Sequence, residues 1–167
     1  MRLMNDQRIE AFMQRALIQA RAANSIHEVP IGAVVVHDGR VIGTGHNLRE
    51  LAEDATGHAE IYAIQEACAV LNSWRLEDCD LYVTVEPCLM CAGAILNSRI
   101  KNLYYGSPNP KGGVVDSLYQ VLNDPRFNHQ VNVTGGVLAN ESAAIMKAFF
   151  KAARKRKKLA RRSGQVR

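Results

Sequence analysis

Leu81-Tyr82-Val83-Thr84-Val85-Glu86-Pro87-Cys88-Leu89-Met90-Cys91, continued by Ala92-Gly93-Ala94-Ile95-Leu96-Asn97, changes its period in the middle. Residues 81 to 85 are a short apolar run of the kind that makes a buried strand. From Pro87 the pattern is helical, because a proline in the first turn removes no bond the helix would have made; this helix is expected to run to about Asn97. A strand leading straight into a helix is the local order of an α/β protein.

Working outward, His58 to about Leu71 keeps Ile61, Ile64, Ala67, Cys68 and Leu71 at three- and four-residue steps, which predicts another helix. Before it, Pro30–Val36 and Val41–Asn47 are β-rich runs around His37-Asp38-Gly39-Arg40. Asp-Gly tolerates the positive φ values of a type I′ turn, so these runs predict a hairpin. Residues 6 to 22 predict an opening helix through Ile9, Phe12, Met13, Ala16, Leu17 and Ala20, with Asn5 or Asp6 as N-cap. On the other side, Lys101–Tyr105 predicts a strand and Gly106–Ser117 a Pro- and Gly-broken loop bordering a site. Val131–Leu138 predicts a last strand, and Asn140 caps a long helix with a packing stripe of Ile145, Ala148, Phe149 and Ala152. Strands joined through helices run parallel whereas a hairpin is antiparallel. The expected fold is therefore α/β: a three-layer α/β/α sandwich around a mixed five-stranded sheet, in a single domain spanning 1–167.

The net charge of +5 hides an asymmetry, since ten Lys and Arg and no Asp or Glu lie from Lys147 onward, leaving the preceding body at −5. An acidic body with a basic helix or tail is the pattern of a polyanion-binding appendage, and a solvated, disordered end is the plainer alternative. The longest aliphatic stretch, Ile31–Val36, is far too short to cross a bilayer, and the first residues lack a secretory apolar run. A cytoplasmic protein with no membrane partner is expected. In such a compartment Cys68, Cys79, Cys88 and Cys91 do not suggest a disulfide framework, and burial is the expected role of Cys68 and Cys79.

Cys88-Leu89-Met90-Cys91 sets two sulfurs about one helical turn apart, so both can converge on one ion. Alone, the pair fits a redox motif or half of a four-cysteine zinc site equally well. No second Cys-x-x-Cys exists, but His58 opens the preceding helix with Glu60 two positions on. Ligands at two helix N-termini meet partial positive charge that favours thiolates. Three protein ligands leave a tetrahedral zinc one open position, the arrangement of a catalytic site. Glu60 then has the chemistry of a proton shuttle beside it. Iron or cobalt fit similar ligands, so the ligand set alone does not fix the metal.

His58-Ala59-Glu60 with Pro87-Cys88-Leu89-Met90-Cys91 resembles the signature of the zinc-dependent nucleobase deaminases, His-x-Glu followed by Pro-Cys-x-x-Cys. Glu28-Val29-Pro30-Ile31-Gly32-Ala33, Thr84-Val85-Glu86-Pro87-Cys88, Phe127-Asn128-His129 and the basic C-terminal helix narrow the resemblance to the bacterial tRNA adenosine deaminases, over nearly the whole chain. The resemblance implies a cytidine-deaminase-like fold, one Zn2+ per subunit, and a homodimer. It further implies hydrolytic conversion of adenosine to inosine at the wobble position of a tRNA anticodon stem-loop, in an arginine tRNA. Carried over by residue, His58, Cys88 and Cys91 become zinc ligands and Glu60 the catalytic proton shuttle. Asn47 would recognise the purine edge, Val29 and Ala59 would line the base pocket, and Asn109, Lys111, Asn128 and His129 are further substrate-binding candidates. Lys151, Arg154, Lys155, Arg156, Lys157 and Lys158 would contact RNA phosphates, which position RNA without reading its sequence. The chain departs from the family's pattern at Asn109, usually Asp, and at Gly57, usually Ala. An amide at 109 removes repulsion toward phosphate, so weaker discrimination between RNA and DNA is expected.

Besides a redox protein, which a His58 suited to a metal beside the paired thiolates disfavours, two other functions fit parts of this pattern. A deaminase of a free base or nucleotide, such as guanine or cytosine, would share the metal chemistry but has no use for ten uncompensated positive charges. A noncatalytic RNA-binding subunit with a structural zinc would not need Glu60.

Overall fold

Asp38 and Gly39 both carry positive φ, 47° and 73°, and the chain reverses there as the Asp-Gly pair requires. The hairpin so formed joins β1 (Gly32–His37) to β2 (Arg40–His46). The computed structural model describes residues 2–163; Met1 and 164–167, with Arg167 of the basic run and both ends of the expected domain, lie outside the described residues. The remaining elements are α1 (Arg2–Ser25), α2 (Ala59–Leu71), β3 (Cys79–Val85), α3 (Leu89–Ser98), β4 (Asn102–Ser107), a single 3-10 turn at Val121–Asn123, β5 (Asn132–Thr134) and α4 (Ala139–Arg162).

The strands form one mixed sheet in the order β2-β1-β3-β4-β5. β1 is antiparallel to both β2 and β3, and β3-β4-β5 are parallel, as the helical connections demand. Alternation along the strands divides the core into two layers. Ala33, Val35, Leu81, Val83 and Leu103 face α2 and α3, joined there by Ala63, Ala67, Ala92 and Ile95. Val34, Val36 and Tyr82 face Met13 and Ala16 of α1, where Tyr82 stacks on Tyr104 with ring centroids 4.6 Å apart. The expected three-layer sandwich is thus the observed one. Gly43 and Gly45 let α2 lie directly on β2, since a Cβ would come within 2.2 Å of the Ala63 carbonyl oxygen and 2.1 Å of the Ala59 carbonyl oxygen respectively. This contact brings the start of α2 to the end of the sheet. No helix among the described residues is long and apolar enough to cross a membrane.

Several boundaries differ from the sequence reading. Asn5 and Asp6 do not cap α1, which is already helical from Arg2 and continues to Ser25; Arg, Leu and Met before them are good helix formers. Pro87 lies outside α3. Its carbonyl accepts the Val114 N–H at 3.2 Å, and extended Cys88 bridges to Gly113, so the helix starts one residue later than Cys88. β4 keeps Gly106 and Ser107, which pair on toward Val85 rather than opening the loop. β5 is only three residues, because Gly135-Gly136 turns the chain, with Gly136 at φ 84°. Leu138, at φ 50°, caps α4 instead of Asn140. The packing stripe of α4 is Ser142, Ile145, Met146, Phe149 and Ala153, whereas Ala148 and Ala152 are exposed.

Candidate active site

His58 and Cys88 are the N-cap residues of α2 and α3, both extended, and the two helices pack side by side. Cys91 follows in the first turn of α3 and is fully buried. The ligand-type atoms of His58, Cys88 and Cys91 all lie within 4.8 Å of one another. His58 Nδ1 stands 3.5 Å from Cys88 Sγ and 3.6 Å from Cys91 Sγ. Zinc bonds of about 2.3 Å to sulfur and about 2.0 Å to nitrogen at a tetrahedral angle separate those atoms by about 3.5 Å. The donor set and its spacing therefore fit a tetrahedral metal with one position left for a non-protein ligand.

The protonation of the three donors is tied together. The hydrogen bond from Cys91, and next that from His58, holds the Cys88 thiol down to about 4 against the opposing effect of burial. The Cys88 partner raises the His58 imidazole, and Cys91 is raised by the same neighbour and by burial. Two sulfurs this close favour the doubly ionised state only with a cation between them.

Glu60, in the first turn of α2, is 4% exposed. Burial pushes its carboxyl up to about 6, countered by its own backbone N–H and by Cys91, which donates to it. It lies against the donor cluster, where Cys88 raises and His58 lowers its carboxyl. Asn47, directly after β2, is 5% exposed, and its Oδ1 has no hydrogen-bond partner among the described residues. An orphaned buried acceptor of this kind costs about 1–3 kcal/mol unless a ligand or water supplies a donor. Glu28 Oε2 is orphaned likewise, while its Oε1 accepts the Leu51 N–H at 2.6 Å and ties down the 48–57 loop that leads to His58.

The other sequence candidates separate into groups. Val29, Asn109 and Lys111 line one 760 Å³ cavity with Ile31, Val85 and Phe150, at the ends of β3 and β4. Ala59 has its side chain in the core, so only its backbone N–H, at a helix start where amides lack intrahelical partners, can meet a ligand. Asn109 uses its Oδ1 to accept the Gly112 N–H at 3.1 Å, capping its own loop. Asn128 lies elsewhere, in a 160 Å³ cleft with Leu89, Val121 and Phe127, and a ring nitrogen of His129 is 2.7 Å from the Ile100 carbonyl oxygen. Lys151, Arg154, Lys155, Arg156, Lys157 and Lys158 are all exposed on α4. Arg154, Lys157 and Lys158 line an open 500 Å³ groove with Arg161 and Arg162. Phe150 and Glu86 were not singled out by sequence reasoning. For Glu86, the available signal was a carboxylate within an otherwise apolar strand-to-helix run.

A model of the MafB19-like deaminase family matches residues 4–154. The chain is 52% identical over 150 residues to a tRNA-specific adenosine deaminase of Streptococcus pyogenes serotype M1, covering 90% of this chain and 88% of that protein. A tRNA-specific adenosine deaminase of Bacillus subtilis (strain 168) is 47% identical over 154 residues, 92% of this chain and 96% of that one. A solved structure from studies of A-to-I editing by tRNA deaminases at the wobble position of transfer RNA aligns with a TM-score of 0.78 at 49% identity, over 81% of this chain and 98% of that chain. The guanine deaminase from Nitrosomonas europaea aligns with a TM-score of 0.70 at 25% identity, over 84% and 83%. The chain therefore belongs to the MafB19-like deaminase family. Relatives near half identity bear out the resemblance to tRNA adenosine deaminases that its motifs carried.

Proposed function

We propose that this protein is a zinc-dependent hydrolase that deaminates adenosine to inosine at the wobble position of a tRNA anticodon, in the cytoplasm, as a single deaminase domain. The observation that carries the chemistry is the His58, Cys88 and Cys91 cluster at metal-ligand spacing with buried Glu60 beside it. The tRNA substrate is supported by the relatives at 52% and 47% identity; an arginine tRNA is the candidate that the resemblance supplies.

In this reading His58, Cys88 and Cys91 hold the zinc, which when bound supplies a Lewis acid that brings a water's pKa near neutrality. Asn47 receives the purine edge, satisfying its orphaned Oδ1. Glu60 takes one proton of the attacking water as its oxygen adds to C6 and passes it to the ring nitrogen. It then takes the second proton from the new C6 hydroxyl and passes it to the amine; the C6–N bond breaks as the carbonyl forms, so that adenosine and water give inosine and ammonia. Glu60 is carried by the same helix that begins at His58, so one rigid element sets the distance between shuttle and metal site.

The cavity containing Val29, Asn109, Lys111 and Phe150 is the proposed path of the nucleotides beside the splayed-out base. Arg154, Lys157, Lys158 and Arg161 follow Phe150 at helical steps of four, seven, eight and eleven, so a basic stripe continues from the cavity along α4. Replacing these four with Gln is expected to weaken binding of an anticodon hairpin by about a hundredfold at 0.15 M salt and to flatten the slope of log affinity against log salt by about 2.8. An unchanged slope, measured by fluorescence anisotropy, would take the stripe out of the RNA site.

A homodimer is proposed through the face around α3. Leu89 is 65% exposed and Tyr119 68% exposed, and the clefts that contain them share Val121. Light scattering should give twice the monomer mass, and Leu89→Arg should return it to the monomer.

The deciding experiment is incubation with unmodified total tRNA followed by sequencing, in which inosine reads as guanosine. An A-to-G change at one anticodon position is expected. Turnover of free guanine or cytosine with tRNA unchanged would favour the free-base reading, for which the guanine deaminase likeness gives the fold a precedent.

A further inference from the structure

Glu86 is a carboxylate 2% exposed in the turn between β3 and α3, and among the described residues no Lys, Arg or His bonds to it. Its charge is instead met by five donors of one loop. Oε1 accepts the N–H groups of Val115, Asp116 and Ser117 at 3.1, 2.8 and 2.9 Å. Oε2 accepts the Asn109 N–H at 2.9 Å and the Ser117 hydroxyl at 2.5 Å. Hydrogen bonds to an ionised acceptor are about twice as strong as neutral ones. Five converging on two buried oxygens make this carboxylate the centre about which residues 109–117 wind.

The loop leaves no space around that centre. A Cβ on Gly113 would lie 2.3 Å from Glu86 Cδ, so residue 113 has to be glycine for the wrap to close. The same loop is bonded to the two residues that follow Glu86: Val114 N–H donates to the Pro87 carbonyl at 3.2 Å, and Gly113 bridges to Cys88. The turn at 86–88 therefore faces two ways. It carries Cys88 of the donor cluster, and it grips the loop whose Asn109, Pro110 and Lys111 form one wall of the 760 Å³ cavity.

We infer that Glu86 is a positioning residue that fixes the substrate-side wall at 109–111 in register with the metal-ligand turn, so that the nucleotide and the reacting water are presented together. The inference rests on the deaminase reading for its effect on turnover, but the clamp itself is a property of the loop. A carboxylate is required because an amide replaces one acceptor oxygen by a donor NH₂. In Glu86→Gln the Ser117 hydroxyl can rotate to accept, whereas the Asn109 N–H cannot, so the contact next to the cavity is the one that fails.

The test combines two readouts on the purified full chain with zinc. Hydrogen exchange of the Asn109 amide should speed up by about tenfold or more in Glu86→Gln, the loss of one charged hydrogen bond, and that of 115–117 by less as the wrap loosens. In deamination of an anticodon hairpin, KM should rise by about tenfold with a smaller fall in kcat, while zinc stays at one per chain. Ser117→Ala, which removes one donor and leaves the carboxylate, should give the same pattern more weakly and stands in if the Gln variant does not fold. Unchanged exchange at 109 and 115–117 in either folded variant overturns the clamp. Faster exchange with unaltered KM overturns its role in substrate positioning. If the wild-type protein deaminates no RNA hairpin at all, faster exchange in the variant would keep the clamp and sink the tRNA reading instead.

Discussion

Glu60→Gln is expected to lower kcat on an anticodon hairpin by about a thousandfold, within the range removed with a general acid-base group, while zinc content and hairpin affinity stay at wild-type values. The variant isolates proton transfer because Gln keeps the size and the polarity of the side chain at a position that is 4% exposed. Its amide can still accept the backbone N–H that Glu60 accepts from itself, so the first turn of α2 should persist. What it cannot do is carry a proton from water to the leaving amine. Metal analysis, single-turnover kinetics and hairpin titration on one preparation separate the possibilities. Wild-type kcat would remove Glu60 from the reaction, and loss of zinc would make it a structural neighbour of the metal rather than a shuttle. An unchanged hairpin affinity matters as much as the lost rate, since it shows that the bound state forms and only the chemistry fails.

The parts of this molecule that were legible in its sequence are those where one residue type has one physical use. Asp38-Gly39 can hardly be anything but a tight turn between two β-rich runs, and the observed φ values follow. The helical steps of α1 and α2 picked out their core-facing residues, because burial is periodic along an amphipathic helix. The order of His58, Cys88 and Cys91 was enough to expect them together: α2 and α3 follow β2 and β3, which run the same way, so both helices start at one end of the sheet and residues thirty apart become neighbours. Helix ends were read less well where tertiary bonds decide them. Pro87 has the residue type of a first turn but spends its carbonyl on Val114, and Asn140 has the type of a cap but stands inside a helix that left-handed Leu138 already starts. Glu86 could not be assigned from sequence, because its five partners lie more than twenty residues away in a loop with no period. Ala148 and Ala152 show a different limit: alanine fits a helix whether or not that side is covered, and both face solvent.

Cys88→Ala is expected to lose the metal, to lose deamination to background, and to melt at a lower temperature than the zinc-bound wild type. Cys88 is the informative member of the donor cluster to remove because it is half-buried at an N-cap, whereas Cys91 is fully buried and its loss would open a cavity in α3 regardless of metal. With free zinc at a thousand times its dissociation constant, binding to the native state alone contributes about 4 kcal/mol. For a chain of this size that corresponds to a fall in Tm of roughly 8–16 °C. The two core layers contain neither His58 nor Cys88, so the metal-free protein should still unfold cooperatively rather than collapse to a molten state. Wild type stripped with a chelator should match the variant in Tm and activity, and adding zinc back should restore the wild type but not Cys88→Ala. If the variant instead keeps its metal and its rate, the ion is held by some other set of side chains and the tetrahedral spacing at His58 is incidental. If stripped wild type remains fully active, the reaction needs no metal and Glu60 acts on an unassisted water, which would require far more of a single carboxylate than the roughly 10⁴-fold such groups supply.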